Sequence, residues 1–121
     1  MDLLAFLLIG LGGALGSAAR AGVARALPAS VLPWGTMAAN VSGSLLIGVL
    51  MARCVADPSG SARVQAFWVI GFCGGYTTFS SFSWQTVEQL QRGAWGVAFL
   101  HVAVSVVLCL GATWLGWRLA R

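Results

Sequence analysis

The chain has 121 residues, 59% of them hydrophobic and only 8% charged, with a mean hydropathy of +0.87. That leaves too little polar surface to clothe a water-soluble domain of this size and points to an all-α integral membrane protein. The net charge of +4 comes from seven Arg and no Lys, set against Asp2, Asp57 and Glu88; because the Arg lie mostly at segment ends, they anchor the chain in a membrane rather than mark a nucleic-acid surface.

About 20 apolar residues cross a bilayer core as a helix, and four such spans can be drawn, over 3–26, 33–55, 64–90 and 94–117, so that 1–121 reads as a single four-helix membrane domain. The opening "MDLLAFLLIG" has an acid where a signal peptide carries basic residues, and its apolar run outlasts a signal core. It is expected to stay as the first spanning helix. Gly12 and Gly16 in this span, and Gly71 and Gly75 in the third, have the small-xxx-small spacing that lets helices approach closely, which fits either a contact between two copies or packing within one chain. Arg20, near the end of the first span, fits either snorkelling to the interface or drawing anions to a pore mouth.

After the two-proline link "LPASVLPW", the second span carries Thr36, Asn40, Ser44 and Gly48 four residues apart, and the mid-span amide of Asn40 needs partners. The turn-rich "ADPSGSAR" leads to the third span and its unusual stretch "GFCGGYTTFSSFSW" at residues 71–84. Gly74 and Gly75 followed by Tyr76, Thr77 and Thr78 combine poor helix formers with β-branched residues, so the third helix is predicted to break there, mid-membrane. Unwound backbone at that depth is tolerated only when buried in protein or lining a cavity. An ion is the simplest partner: carbonyls suit a hard cation, and amides at the start of the following half-helix suit an anion. Beyond the break, Thr78, Ser81, Gln85 and Glu88 share one helical face, with Phe79 and Phe82 on the adjoining one. "QRGAWG" supplies Gly93 before the fourth span, where His101, Ser105, Cys109 and Thr113 recur every four residues. His101, near the start of that span, fits an interfacial or a pathway position.

These three rows can line one narrow path. Rich in hydroxyl and amide donors, with acids confined to its ends, the path suits a small anion better than a cation, and the positive edges of Phe79 and Phe82 fit as well. There is no carboxylate pair, no Ser/His/Asp set and no phosphate loop, so enzymatic chemistry has no foothold. Cys54, Cys73 and Cys109 lack metal-ligand spacing and read as buried hydrophobes, with neither disulfide nor zinc expected. Arg53, Arg63, Arg118 and Arg121 share the side of both termini, against Arg25, Arg92 and the deeper Arg20. This weak bias permits insertion both ways up and hence an antiparallel dimer.

"GFCGGYTTFSSFSW" resembles the third-span motif of the Fluc (CrcB) fluoride channels, "GTMAANVSGSLLIG" their second-span Asn motif and "GGALGSAAR" their first-span segment ending in Arg; length and span number agree over the whole chain. The resemblance implies an antiparallel, dual-topology homodimer in the bacterial inner membrane, with two pores that pass fluoride passively and lower its cytoplasmic level. It implies a structural sodium ion held by backbone carbonyls at Gly74 and Thr77 of both copies. It maps the fluoride pathway to Asn40, Phe79, Phe82, Thr78, Ser81 and Ser105, with Arg20, Gln85 and His101 toward the pore mouth. Three positions depart from the family pattern: Gln85 replaces a usual Glu, His101 an aromatic hydroxyl or Asn, and Cys109 a frequent Ser. Two other functions fit the composition. A small dual-topology cation or drug exporter needs an intramembrane carboxylate for proton exchange, and the first two spans contain only Asp2, at the very end; a non-transporting scaffold explains the Gly pairs but not a break followed by Phe-x-x-Phe.

Overall fold

The computed structural model describes residues 1–121 and is helical throughout. Helix α1 spans Leu3–Ala26; the Asp2 carboxylate accepts a hydrogen bond from the Ala5 amide (2.9 Å) and so satisfies one of the helix's free amides. It stops at Leu27, whose backbone is pushed out of the helical region by the following Pro28. Helix α2, Trp34–Ala56, ends by the same device at Asp57 before Pro58. The Asp57 side chain then accepts from Ser59 Oγ (2.9 Å) and the Gly60 amide (3.3 Å), folding the link into a tight turn.

Helix α3 covers residues 61–76 in three consecutive segments: an α-helical turn at Ser61–Val64, a π-helical stretch at Gln65–Cys73 and a last turn at Gly74–Tyr76. Thr77 and Thr78 are extended, with ψ of 159° and 115°, and helix α4 runs from Phe79 to Gln91. Arg92, Gly93 and Ala94 form the turn into helix α5, Trp95–Leu119, where Gly93 takes a φ of 76° that glycine adopts without steric cost. Near the C-terminus the guanidinium groups of Arg118 and Arg121 lie 5.7 and 5.3 Å from the ring centres of Trp114 and Trp117, pairing cation and ring in an interfacial anchor.

Within Gly74–Thr78, the stretch in which the sequence predicts a break, Gly74 and Gly75 remain helical and the extended residues are Thr77 and Thr78, at its end. Two interactions hold the glycine pair in helix. Gly75 lies against the Gly13 backbone of α1, and its carbonyl accepts from Arg20 and Ser17. The Thr77 amide still donates to the Cys73 carbonyl (2.9 Å), and only at Thr78 does the amide turn to a partner outside the helix.

The glycines that raised two possibilities in the sequence pack within the chain. A Cβ on Gly12 or Gly16 would run into the carbonyls of Phe67 or Phe72 in α3, and one on Gly75 into the Gly13 carbonyl, so α1 and α3 meet backbone to backbone. A second pair is built alike: Gly48 of α2 sits against the Thr113 carbonyl of α5, and Gly116 of α5 against the Leu45 carbonyl of α2.

Helices α1, α2 and α5 are long and apolar enough to cross a membrane. The 13 residues of α4 reach about 20 Å, short of a hydrocarbon core of about 30 Å. The molecule exposes 7393 Å², against about 6,200 Å² for a water-soluble monomer of its 12.6 kDa mass. Its outer surface is apolar, with Leu7, Phe99 and Leu110 among the exposed side chains. Such a surface is stable only against lipid or another protein face.

Candidate ion pathway

Thr78 lines two cavities. One is a polar cavity of about 260 Å³, lined by Ser17, Arg20, Thr36, Thr78, Ser81 and Gln85 together with small residues of α1 and α2. The other is a largely apolar groove of about 440 Å³, lined by Asn40, Ser44, Phe79, Phe82, Ser105 and Cys109, and by Cys73, Gly74, Thr77 and Thr78 at the interruption itself.

The extended residues owe their conformation to side chains from other helices. Asn40 Nδ2 donates to the Thr78 carbonyl (3.1 Å) and Asn40 Oδ1 accepts from the Thr78 amide (2.7 Å). One amide side chain thereby takes both hydrogen-bonding groups of one peptide residue, as a neighbouring strand would. A primary amide has two N–H groups, so one remains on Asn40. On the α1 side Arg20 Nε donates to the Gly75 carbonyl (3.1 Å), reinforced by a longer bond from Ser17 Oγ (3.5 Å). A cation at a helix C-terminus is favoured by the helix dipole as well as by the bond itself. Thr78 also starts α4: its hydroxyl accepts from the Ser81 amide (3.1 Å).

The charge inventory is one-sided. Arg20 has no carboxylate partner, and the single ion pair, Arg92 with Glu88 at 2.7 Å, lies at the exposed end of α4, away from both cavities. Gln85 donates from Nε2 to Thr36 Oγ1 (2.9 Å) while its Oε1 is buried without a partner. Ser105 is buried and its hydroxyl is likewise free. The Phe79 and Phe82 rings lie 5.4 Å apart and tilted by 43°; Phe82 packs inward, whereas Phe79 is 79% exposed on the single chain. His101 is fully buried and lines neither cavity; it packs behind Phe82, edge to face at 5.0 Å.

At the interruption, no hydrogen bond reaches the carbonyls of Gly74 and Thr77: the Thr78 amide that would bond the first is taken by Asn40, and the Ser81 amide that would bond the second by the Thr78 hydroxyl. Gly74 faces open space where a Cβ would stand. Unbonded carbonyls such as these are oxygen donors of the kind a hard cation takes.

The structure therefore brings Asn40, Thr78, Phe79, Phe82 and Ser105 to the groove and Arg20, Thr78, Ser81 and Gln85 to the polar cavity, with Gly74 and Thr77 at the interruption. The Arg20 bond to Gly75, the link between Thr86 and His101 (3.3 Å) and the pairing of Tyr76 with Ser42 (2.9 Å) had no counterpart in the sequence pattern. Nor did the π-helical stretch, which needs one more residue per hydrogen-bonded ring than its α-helical neighbours.

A hydrogen-bond-donating cavity with a guanidinium that has no carboxylate partner, sharing Thr78 with an aromatic groove, offers donors of the kind that replace the water of a small anion. Comparison with known proteins bears on the same point. Residues 7–117 match the family described as CrcB-like protein, Camphor Resistance (CrcB). The chain is 47% identical over 115 residues to a protein of Gluconobacter oxydans (91% of this chain, 80% of that protein). It is 44% identical over 112 residues to one of Geobacter sulfurreducens (90% of each), and 42% identical over 119 residues to one of Coxiella burnetii (95% of this chain, 96% of that protein). Each of these relatives bears the name fluoride-specific ion channel FluC. With a match over nearly its whole length and relatives this similar, the chain belongs to the CrcB family of multi-pass bacterial membrane proteins.

Proposed function

We propose that this protein is a fluoride channel that works as a dimer of two antiparallel copies in the bacterial inner membrane and lets fluoride leave the cytoplasm down its gradient. The observation that carries the reading is the position of Thr78. It is shared by a polar cavity with an unpaired cation and by a groove holding two phenylalanines, and its backbone is held by one amide. The relatives' name supports the identity of the anion.

In this reading an anion enters the polar cavity, attracted by Arg20 and met by Ser81, Gln85 and the Thr78 hydroxyl, which exchange for part of its water. The remaining Asn40 N–H and the edges of Phe79 and Phe82 receive it next, and Ser105 lies further along the groove with a hydroxyl free to donate. Aromatic edges carry only partial positive charge, so they bind weakly enough to release the ion. Phe79, exposed on one chain, would be enclosed by the second copy. Helices α3 and α4 together make the third crossing, interrupted at Thr77 and Thr78.

A structural sodium ion would be held by the Gly74 and Thr77 carbonyls of the two copies. Bound there, it supplies fixed positive charge between otherwise unpaired carbonyls.

The test is ion efflux from proteoliposomes. Purified protein is expected to release fluoride rapidly and chloride not measurably above empty vesicles. Equal rates for the two ions, or no fluoride release from a folded dimer, would refute the proposal.

A further inference from the structure

Two contacts converge on Phe82 from a side chain that touches neither cavity. The His101 ring packs against the Phe82 ring at 5.0 Å and 64°, and His101 Nδ1 lies 3.3 Å from Thr86 Oγ1. The Thr86 hydroxyl in turn donates to the Phe82 carbonyl at 2.8 Å. A hydroxyl has one proton, and this one is spent on the carbonyl, so the proton in the contact with His101 belongs to Nδ1. The imidazole donates to Thr86, and Nε2, buried without a partner, contributes no bond. All of the polar interaction of His101 therefore runs through Nδ1, by way of Thr86, to the backbone of the residue whose ring it also braces.

We propose that His101 is a positioning residue for Phe82 and, through it, a determinant of which anion passes. The inference rests on the reading that Phe82 meets the permeating ion. A phenyl ring turns readily about its second side-chain torsion, so neighbours decide whether its positive edge or negative face looks into the groove. His101 braces the ring and steadies the carbonyl of the same residue. The edge then stays turned to the anion, and the groove stays narrow enough to favour the smaller halide.

The experiment uses the full-length dimer and two readouts. In the first, 4-fluorophenylalanine is placed at position 82 and its fluorine resonance is recorded in detergent, which reports ring environment whether or not the protein conducts. One narrow line is expected for the otherwise native protein, and a shifted, broadened or split line for His101→Ala. An unchanged line would overturn the proposal. His101→Phe, which keeps a ring but no N–H, and Thr86→Val, which removes the link, provide variants closer in shape; smaller changes of the same kind are expected from both. In the second readout, fluoride and chloride efflux are compared. His101→Ala is expected to lower the fluoride-to-chloride ratio roughly tenfold, and to add nothing in a Phe82→Ile background, since residues acting as a unit are not additive. Independent, additive losses would assign His101 a general structural role and overturn the proposal. If the unmodified protein fails to pass fluoride, the proposed function falls and the selectivity role with it, while the fluorine spectrum still decides whether His101 positions Phe82.

Discussion

Asn40 and Thr78, 38 residues apart, exchange two hydrogen bonds, so that a side chain of α2 completes the backbone of the segment joining α3 to α4. Asn40→Asp keeps an acceptor for the Thr78 amide but sets a second, negative oxygen against the Thr78 carbonyl. The expected result is fluoride efflux reduced by more than about tenfold, with destabilisation of about 1–3 kcal/mol for the carbonyl left unpaired. Efflux together with thermal unfolding in detergent checks both parts, and wild-type flux at neutral pH would remove Asn40 from the pathway.

Phe82 is the inward-packed member of the ring pair. Phe82→Ile keeps an apolar side chain but removes the aromatic edge, so fluoride efflux is expected to fall steeply while size-exclusion chromatography still shows a dimer. Unchanged efflux would show that the ring does not meet the ion.

Arg20 does more than carry charge, because its Nε is bonded to the Gly75 carbonyl while the side chain lines the polar cavity. Lysine has one charged group and cannot serve both positions. Arg20→Lys is therefore expected to cost about 1–2 kcal/mol of stability, toward the low side because Arg20 is half-buried, and to slow efflux despite conserving charge. Thermal unfolding and efflux of this variant beside Arg20→Gln separate the two contributions.

Much of this architecture was legible in the sequence, for physical reasons that differ by element. The helical class followed from apolar runs bounded by prolines, because Pro28 and Pro58 act locally on the residues before them. The Asn stood out because an amide at that depth needs partners, and the Phe pair because its motif resembles that of a known family. What the sequence could not give was the place at which α3 stops. Local propensity marks the whole of Gly74–Thr78, but Arg20, Ser17 and Gly13 come from α1 and Asn40 from α2, and these tertiary partners set it at Thr77 and Thr78, the end of that stretch. Likewise, the spacing of Gly12 and Gly16 indicated close approach without naming the neighbour, since any smooth helix face would satisfy it.

That neighbour gives a further expectation. Gly16→Ala should destabilise the protein by about 1–3 kcal/mol, because its methyl group would meet the Phe72 carbonyl, which helix geometry holds in place. Gly22→Ala, with open space around it, should be neutral or gain up to about 1 kcal/mol from helix propensity. Thermal unfolding of the two variants side by side distinguishes a packed contact from a general intolerance of substitution.

Dual insertion has its own signature. With a single cysteine placed at either terminus of a variant lacking the three native thiols, a membrane-impermeant reagent applied from one side should label only part of the population, and lysis should expose the rest. Complete labelling or complete protection would establish one fixed orientation.

The pairing of one α2 amide with one peptide also couples motions that would otherwise be separate. Any tilt of α2 pulls on the Thr78 peptide, and that peptide forms part of the wall of both cavities. The polar cavity and the aromatic groove are thus geared together, and a change of shape in one is felt in the other.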